Sequence, residues 1–287
     1  MEKVIALKDA SDKFALYLKS QKRASATILA YKNDISQLIK FISEKGITAI
    51  PAINSQSLDD FKANLEKNGY IAKSVSRKIN SIKTFFRFLK SEGFIEDDPA
   101  IAVTHPKYDV KPPRILSKLE YRALRDACRA DIRISAIVEL MLQTGVRIGE
   151  VANLSMEDTK ENEIHIKPFE SHAERDIPLN KAAKESLDKY LSERPKIKEK
   201  AIFVTKTGRP FLIRNIRSSI ERYFEIAGIK NAKVNDLRHT WVFHHLAAGT
   251  PLVVISKLAG HKRLSTTEKY LKLITEKRDG AIKLEEL

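Results

Sequence analysis

Four segments in the second half of the sequence place polar side chains at the ends of apolar helical patterns. Arg147 follows an apolar run in QTGVRIGE, Arg238 and His239 lie in NDLRHT, His261 ends LAGH, and Tyr270 lies in TTEKYL. Backbone groups at helix ends have free hydrogen-bonding capacity, and side chains placed there can converge on an anion. The pattern therefore predicts an anion-binding site that contains two arginines, two histidines and a tyrosine.

The tyrosine segment also fits a purely structural role. The run STTE at 265–268 has the form of a capping box and predicts a helix that carries Tyr270 in its first turns. Tyr270, Leu273 and Ile274 share one face of that helix, and an aromatic residue on such a face usually packs in a core. His261 after Gly260 would likewise suit a polar turn. On this segment alone both interpretations stay open.

Composition describes an ordinary globular chain of one large or two smaller domains. Hydrophobic residues make up 43% of the 287 and charged residues 31%. No apolar run has the length that a bilayer span needs, and the N-terminus does not have the pattern of a signal peptide. The single cysteine, Cys128, excludes an internal disulfide and a cysteine-cluster metal site, and its alanine neighbours predict a packing role. We expect a cytoplasmic, nucleoid-associated protein without membrane contact.

The net charge of +15 is the most informative feature of the composition. The excess of Lys and Arg is spread over both halves of the chain and is not gathered in a tail. Such a distribution suits a polyanion that contacts the whole molecule, although a basic solvated surface would give the same count. In residues 74–90 an apolar stripe alternates with basic residues, which fits either a clamp on a DNA backbone or a solvated helix face.

The elements that must position these groups fall into two parts. Apolar residues at helical spacing predict four helices over 8–20, 25–46, 57–69 and 74–93. Residues 104–117 contain three prolines and no periodicity, which predicts an extended linker. We place the domain boundary near residue 110, with a helical bundle over 1–110 and a second domain over 111–287.

The second domain is predicted to be helical with a small sheet at one edge. Helices are expected at 117–130, 132–145, 181–191, 214–228, 236–249 and 251–260, followed by the Tyr270 helix. Alternation predicts antiparallel strands at 163–168 and 175–180, and a third strand at 201–205. No glycine-rich phosphate loop is present, since TGVRIGE lacks the lysine and the spacing of a P-loop.

Taken together and in this order, TGVRIGE, NDLRHT, LAGH and TTEKYL resemble the tyrosine recombinase (phage integrase) family. Members carry an arginine in T-G-x-R-x-x-E, an H-x-x-R segment followed by H-T, an L-G-H segment, and a tyrosine nine residues after that histidine. The resemblance covers nearly the whole chain, since residues 31–35 and 85–89 match the family's helical core-binding domain. It implies a mainly α fold with a small antiparallel sheet: an N-terminal SAM-like domain, then an α+β catalytic domain.

The resemblance also implies a chemistry for each residue. Tyr270 would attack a DNA phosphate and form a 3′-phosphotyrosyl intermediate that keeps the energy of the broken bond. Arg147 and Arg238 would hold the non-bridging oxygens and stabilise the transition state. His261 would donate to the same phosphate, and His239 would support the pocket or assist with protons. We expect no metal and no cofactor.

Two further positions bear on the arginines. Glu150 lies three residues after Arg147, where it could orient the guanidinium or be only a surface partner. Asn235 stands where the family carries the histidine of H-x-x-R. An amide can donate a hydrogen bond but cannot shuttle a proton, so this substitution puts the efficiency of catalysis in question.

The family's catalytic lysine lies on a hairpin between the first two strands. Counting back from RDIPL puts Glu170 at that position. Lys167 is the lysine within this connection, and we predict that it protonates the leaving 5′ oxygen if the hairpin register is shifted. His172 on the same hairpin is the second candidate.

The resemblance favours a site-specific recombinase or integrase that acts as a tetramer on two sites in double-stranded DNA. Two alternatives stay open: a DNA-binding protein of the same fold that has lost useful chemistry, and a topoisomerase that relaxes DNA by the same covalent step. Both domains are expected to close around the duplex. The tail beyond residue 278 is expected to dock on a neighbouring protomer through Ile282 and Leu284, although a frayed end is the ordinary alternative.

Overall fold

The computed structural model describes residues 5–169 and 172–277, with side chains described as far as residue 274. The chain divides into two compact units, Met1–Val110 and Lys111–Leu287. The predicted class, mainly helical with a small antiparallel sheet, is confirmed. None of the described helices is long and apolar enough to cross a membrane. The predicted assembly tail, with Ile282 and Leu284, lies outside the described residues.

Four helices build the first unit, and each begins and ends close to its predicted position. They are α1 (Leu7–Ser20), α2 (Ser25–Glu44), α3 (Ser55–Lys67) and α4 (Ala72–Ser91). The periodic apolar residues of these helices meet in one core, whose largest fully buried side chains are Phe14, Phe61, Phe85 and Phe86. Local sequence periodicity therefore determines this unit almost completely.

A buried carboxylate joins α2 to α4 in this unit. Asp34, 3% exposed, accepts hydrogen bonds from both terminal nitrogens of Arg77, from Lys78 Nζ at 2.9 Å and from Ser81 Oγ at 2.7 Å. Lys78 Nζ also donates to Gln37 Oε1 at 2.7 Å. Burial raises the pKa of Asp34, but the hydrogen bonds from Arg77, Ser81 and Lys78 outweigh it and hold the pKa below the ordinary value.

The described part of the second unit is built mainly from α-helices. Its helices are α5 (Lys118–Cys128), α6 (Ile132–Thr144), α7 (Ile148–Ala152), α8 (Lys181–Glu193), α9 (Ile213–Ile226), α10 (Val234–Ala247), α11 (Leu252–Ala259) and α12 (Ser265–Lys277). The apolar helix α6 lies at the centre of the core and packs against α8 and α10. Cys128 is fully buried at the end of α5, as predicted.

The sheet of the second unit is smaller than predicted. Strands β1 (Glu163–Ile166) and β2 (Arg175–Pro178) pair antiparallel, with Ile164 opposite Ile177. The predicted third strand at 201–205 is wrong, because this segment forms only isolated bridges, one at Ala201 and one at Val204. Its backbone groups bond to several different partners, including the Tyr190 side chain, so no continuous ladder develops.

The end of α6 is fixed by a close contact with α10. Gly145 ends α6 with φ +65°, and a Cβ there would lie 2.3 Å from the Trp241 ring. Only glycine fits, since it tolerates both the left-handed backbone and the close approach. Trp241 Nε1 in turn donates to Gln143 O at 2.9 Å. The turn that leads into Arg147 is therefore held rigidly against α10.

Candidate active site

Arg147 lies at the junction of α6 and α7 and has three acceptors. Its guanidinium donates to Glu150 Oε1 at 2.9 Å, to Ala259 O at 3.1 Å and to Gly260 O at 2.9 Å. The two carbonyls belong to the C-terminal end of α11, whose helix dipole is negative there and attracts a cation. The side chain is 22% exposed, so part of this charge faces solvent.

Arg238 projects from α10 and is more deeply enclosed. The residue is 4% exposed, and its terminal nitrogens donate to Gly145 O and to Ala259 O. Burial, followed by the charge of Arg147, lowers the pKa of Arg238 to about 9. The guanidinium therefore stays charged at neutral pH, and a guanidinium has five N–H donors, so donors remain for a bound anion.

Glu150 connects Arg147 to a third arginine that sequence patterns did not single out. Its side chain is fully buried and accepts from Arg147 N at 2.8 Å and from Arg175 at 2.9 and 2.8 Å. Arg175 Nε donates to Leu258 O at 2.7 Å. Of the two roles left open for Glu150, a surface partner is excluded by its burial. The missed signal was the alternation of β2, which puts Arg175 on the same buried face as Ile177.

Tyr270 is packed in a core and also carries a hydrogen-bonded hydroxyl. It lies on α12, which begins at Ser265 as predicted, and it is 3% exposed within an apolar cluster. Its hydroxyl also forms a 2.5 Å hydrogen bond with Nδ1 of His239 on α10. The other ring nitrogen of His239, Nε2, lies 2.8 Å from the Asn235 amide nitrogen. Tyr270, His239 and Asn235 therefore form one continuous hydrogen-bonded chain.

His261 follows directly after Gly260 at the end of α11. Its Nδ1 lies 2.7 Å from Thr267 Oγ1, which fixes the ring against the start of α12. Burial, followed by the charges of Arg238 and Arg147, lowers the pKa of His261 to about 3. The imidazole is therefore neutral at physiological pH and stands in the positive field of both arginines.

Lys167 forms ion pairs and a hydrogen bond with residues 155–158, which precede the hairpin. Its Nζ lies 2.8 Å from Asp158 Oδ1 and 3.1 Å from Glu157 Oε1, and it donates to Ser155 Oγ at 3.2 Å. The hydrogen bonds that Lys167 donates to Asp158 and Glu157 raise the pKa of Lys167. Lys167 also borders a cavity of about 240 Å³ that Glu150 lines. None of its bonds is to the residues that surround the arginines.

His172 lies at the other end of the hairpin, where the charges of Arg147 and Arg238 act on it. Its backbone pairs with that of Phe169, whose ring packs on Gly149 so closely that a Cβ there would lie 2.7 Å away. Among the described residues, His172 Nδ1 is one of two buried side-chain polar atoms without a hydrogen-bond partner. Burial lowers the pKa of His172, with smaller effects from charged neighbours. Those neighbours are Arg147, Glu150, Lys262 and Arg238. Glu170 lies outside the described residues.

The cluster carries a surplus of positive charge. Three guanidiniums, those of Arg147, Arg175 and Arg238, surround the single carboxylate of Glu150. The C-terminal ends of α6 and α11 each contribute roughly half a negative charge, which leaves roughly one positive charge unmatched. One phosphodiester group carries one negative charge. The arrangement can therefore hold such an anion beside a tyrosine hydroxyl. Among the described residues, no three His, Cys, Asp or Glu side chains gather as a metal site.

Comparisons with known proteins match both units separately. The phage integrase family profile matches residues 114–277. The N-terminal SAM-like domain of phage integrases matches residues 12–93. Both matches agree with the motifs noted in the sequence.

Curated relatives cover most of the chain. Tyrosine recombinase XerC of Thermodesulfovibrio yellowstonii is 32% identical over 273 residues, which are 90% of this chain and 89% of the relative. Tyrosine recombinase XerD of Oceanobacillus iheyensis is 30% identical over 256 residues, 85% of this chain and 86% of the relative. A solved lambda integrase dimer bound to a COC′ core site covers 99% of this chain and 81% of its own, with a TM-score of 0.77 at 18% identity. At that identity the structural likeness concerns the fold alone.

Proposed function

Because the chain belongs to the phage integrase family and is a tyrosine recombinase that acts on DNA, we propose that Tyr270 is its nucleophile. The observation that carries this assignment is the position of Tyr270. Its hydroxyl is bonded to His239, one residue from Arg238, and all three arginines of the cluster lie in the same unit. Attack by this hydroxyl on a DNA phosphate forms a 3′-phosphotyrosyl bond and releases a 5′ hydroxyl.

Arg147 and Arg238 hold the two non-bridging oxygens of the scissile phosphate in this proposal. Both keep N–H donors beyond those given to carbonyls, and both are fixed before DNA arrives by the ends of α6 and α11. Preorganised donors lower the barrier because they need not reorient as charge develops in the transition state. In the tautomer whose Nδ1 accepts from Thr267 Oγ1, neutral His261 donates its single N–H, on Nε2, to the same phosphate.

The proton for the leaving 5′ oxygen comes from the β1–β2 hairpin. Lys167 remains the first candidate, and it must leave Asp158 and Glu157 to take this role. His172 is the second candidate, and it already lies in the field of the arginines with an unpartnered Nδ1. Either donor would lose its proton to the 5′ oxygen as the P–O bond breaks.

A substrate with sulfur in place of the bridging 5′ oxygen separates the two candidates. Sulfur leaves without a proton, so the variant that lacks the true acid should be slow on ordinary DNA and near normal on this substrate. Lys167→Ala and His172→Ala are compared under single-turnover conditions. Equal losses on both substrates for one variant would remove that residue from the role.

We propose a working assembly by analogy with proteins of the same fold. One lambda integrase structure is a dimer on a core site, and another is a tetramer on a Holliday junction. We extend this arrangement to the present chain, which would bind a specific site in double-stranded DNA and pair two sites as a tetramer. The chromosome in the cytoplasm is the expected place of action.

Trapping of covalent adducts tests the proposed function directly. The protein is incubated with a library of genomic duplexes, denatured, and the DNA attached to protein is sequenced. We expect adducts at a defined site for the wild type and for Tyr108→Phe, an exposed tyrosine of the first unit. Tyr270→Phe should form none, with DNA affinity almost unchanged. Adducts that persist in Tyr270→Phe would place the nucleophile elsewhere.

Two other outcomes would select the alternative functions. Site-specific binding without adducts in the wild type would indicate a DNA-binding protein that has lost its chemistry. Relaxation of supercoiled DNA that lacks the site would indicate a topoisomerase.

A further inference from the structure

The chain of hydrogen bonds from Asn235 through His239 to Tyr270 has the geometry of a catalytic triad. Tyr270 Oη and His239 Nδ1 are 2.5 Å apart. The other ring nitrogen of His239, Nε2, lies 2.8 Å from the amide nitrogen of Asn235. Asn235 and His239 are four residues apart on α10, so one helical turn sets their separation. Nucleophiles activated by an oriented histidine share this arrangement on unrelated folds.

We propose that His239 is the general base that takes the proton of Tyr270, and that Asn235 is the positioning residue that selects the required imidazole tautomer. This inference rests on the proposed function, and it names the group that activates its nucleophile.

The tautomer follows from the direction of the hydrogen bonds. To accept the Tyr270 proton, Nδ1 must be free of hydrogen, and neutral His239 then carries its proton on Nε2. That N–H needs an acceptor, and the Asn235 amide supplies one when its Oδ1 faces Nε2. In the structure Nδ2 faces Nε2, and a half-turn of the amide exchanges the two atoms. Asn235 itself cannot take up the proton, so the proton that leaves Tyr270 stays on His239.

The surroundings keep this proton on the tyrosine until a phosphate is bound. Burial raises the pKa of Tyr270 to about 12, with Arg238 opposing the shift. Burial and the charge of Arg238 lower the pKa of His239 to about 4. A phosphodiester bound to Arg238 would offset that charge and favour protonated His239. Proton transfer from Tyr270 to His239 is thereby coupled to phosphate binding. Without a bound phosphate, Tyr270 stays protonated.

The reaction balances in both directions. As the Tyr270 Oη–P bond forms, the P–O5′ bond breaks, the Oη proton passes to His239 Nδ1, and the hairpin acid protonates the 5′ oxygen. In rejoining, the 5′ hydroxyl attacks phosphorus and returns its proton to the hairpin group as the P–O5′ bond forms. The Oη–P bond breaks, and Tyr270 recovers its proton from His239. No oxidant, reductant or further reactant is consumed.

The test measures single-turnover cleavage on the site identified by adduct trapping. His239→Ala should slow cleavage by about 10²-fold with unchanged DNA affinity, since general bases contribute about 10²–10⁴-fold. The remaining rate should rise with pH as Tyr270 ionises unaided. Added imidazoles should restore cleavage, more strongly as their own pKa rises.

Asn235 variants provide the second arm and do not depend on the folding of His239→Ala. Asn235→Ala should slow cleavage by about 2-fold or more, because half or more of His239 then adopts the wrong tautomer. Asn235→Asp keeps an acceptor for Nε2–H, so cleavage should be retained and the basic limb of its pH profile should move. A residue that only supports the fold would show neither the rescue nor the shift.

Each failure has a distinct signature. A wild-type rate in His239→Ala, or a loss that neither pH nor imidazole changes, would overturn the assignment of the base while Tyr270-dependent adducts remain. Equal rates for the Ala and Asp variants at position 235 would remove the positioning role. Absence of any Tyr270-dependent adduct in the wild type would overturn the proposed function together with this inference.

Discussion

Asp34 and Glu150 are buried carboxylates in different units of the chain, and each accepts hydrogen bonds from two cationic side chains. At Asp34 both cations bond to the carboxylate, and Arg77 keeps half of its side chain in solvent. Near Glu150 a further guanidinium, that of Arg238, is enclosed, and it donates hydrogen bonds to two carbonyl oxygens. The same ion-pair chemistry therefore joins two helices in one unit and leaves positive charge for an anion in the other.

The largest expected effect comes from removing one arginine from each carboxylate. Arg147→Ala should reduce DNA cleavage by about 10²–10³-fold, because it removes preorganised donors from the transition state. Arg77→Ala removes the matching arginine from Asp34 and should leave cleavage unchanged at saturating DNA. Single-turnover cleavage at several DNA concentrations measures both. A comparable loss for the two variants would break the distinction between the two carboxylates.

The next effect concerns folding stability. Asp34→Asn leaves Lys78 buried without its carboxylate, and we expect a loss of about 3 kcal/mol in the free energy of unfolding. Asp60→Asn is the control, because the Asp60–Lys45 pair is exposed and should contribute little. Urea denaturation of the full chain gives both values. A loss in Asp34→Asn no greater than that of the control would show that the buried network does not stabilise the unit.

The stability of the second unit should depend on pH through two buried histidines. The pKa values of His239 and His261 are lowered to about 4 and about 3, whereas the unfolded chain has an ordinary histidine pKa of about 6.5. Between these values the unfolded state binds more protons, so stability falls as pH falls from about 6.5 toward 4. Each histidine contributes up to about 1.4 kcal/mol per pH unit. Denaturation at pH 7 and pH 5 should show a smaller loss in His261→Gln than in the wild type.

The smallest effect is stabilisation by a simple anion. Inorganic sulfate at ten times its Kd should stabilise the protein by about 1.4 kcal/mol, which raises the melting temperature by about 2–4 °C. Arg147→Ala should lose this gain, and Arg77→Ala should keep it. Equal shifts in the two variants would mean that sulfate acts on the surface in general and does not occupy the arginine cluster.

The sequence predicted what local periodicity and motif spacing control. The four helices of the first unit follow from apolar residues at helical spacing, and α12 begins at Ser265 where the capping pattern starts. The same signals placed Arg147 just before α7 and His261 just after α11, and they placed Arg238 and Tyr270 in the early turns of α10 and α12.

Periodicity and motif spacing did not predict contacts between distant segments of the chain. Arg175 reaches Glu150 across 25 residues and Leu258 across 83, and only the packed structure brings these groups together. Glu150 is buried in that contact, which its spacing from Arg147 does not indicate, so its role stayed open in the sequence. The segment 201–205 has strand-forming residues, but its neighbours offer single bonds and no adjacent strand, so propensity alone misled.

The C-terminal end of α11 holds all three arginines of the site through its backbone carbonyls. Leu258 O receives Arg175, Ala259 O receives both Arg147 and Arg238, and Gly260 O receives Arg147 again. Gly260 packs tightly against Arg175, since a Cβ at position 260 would lie 2.9 Å from the guanidinium. A small slide of this helix along its axis would therefore change the geometry of all three guanidiniums at once. The three side chains share one anchoring segment, so a shift of that segment would disturb all three together.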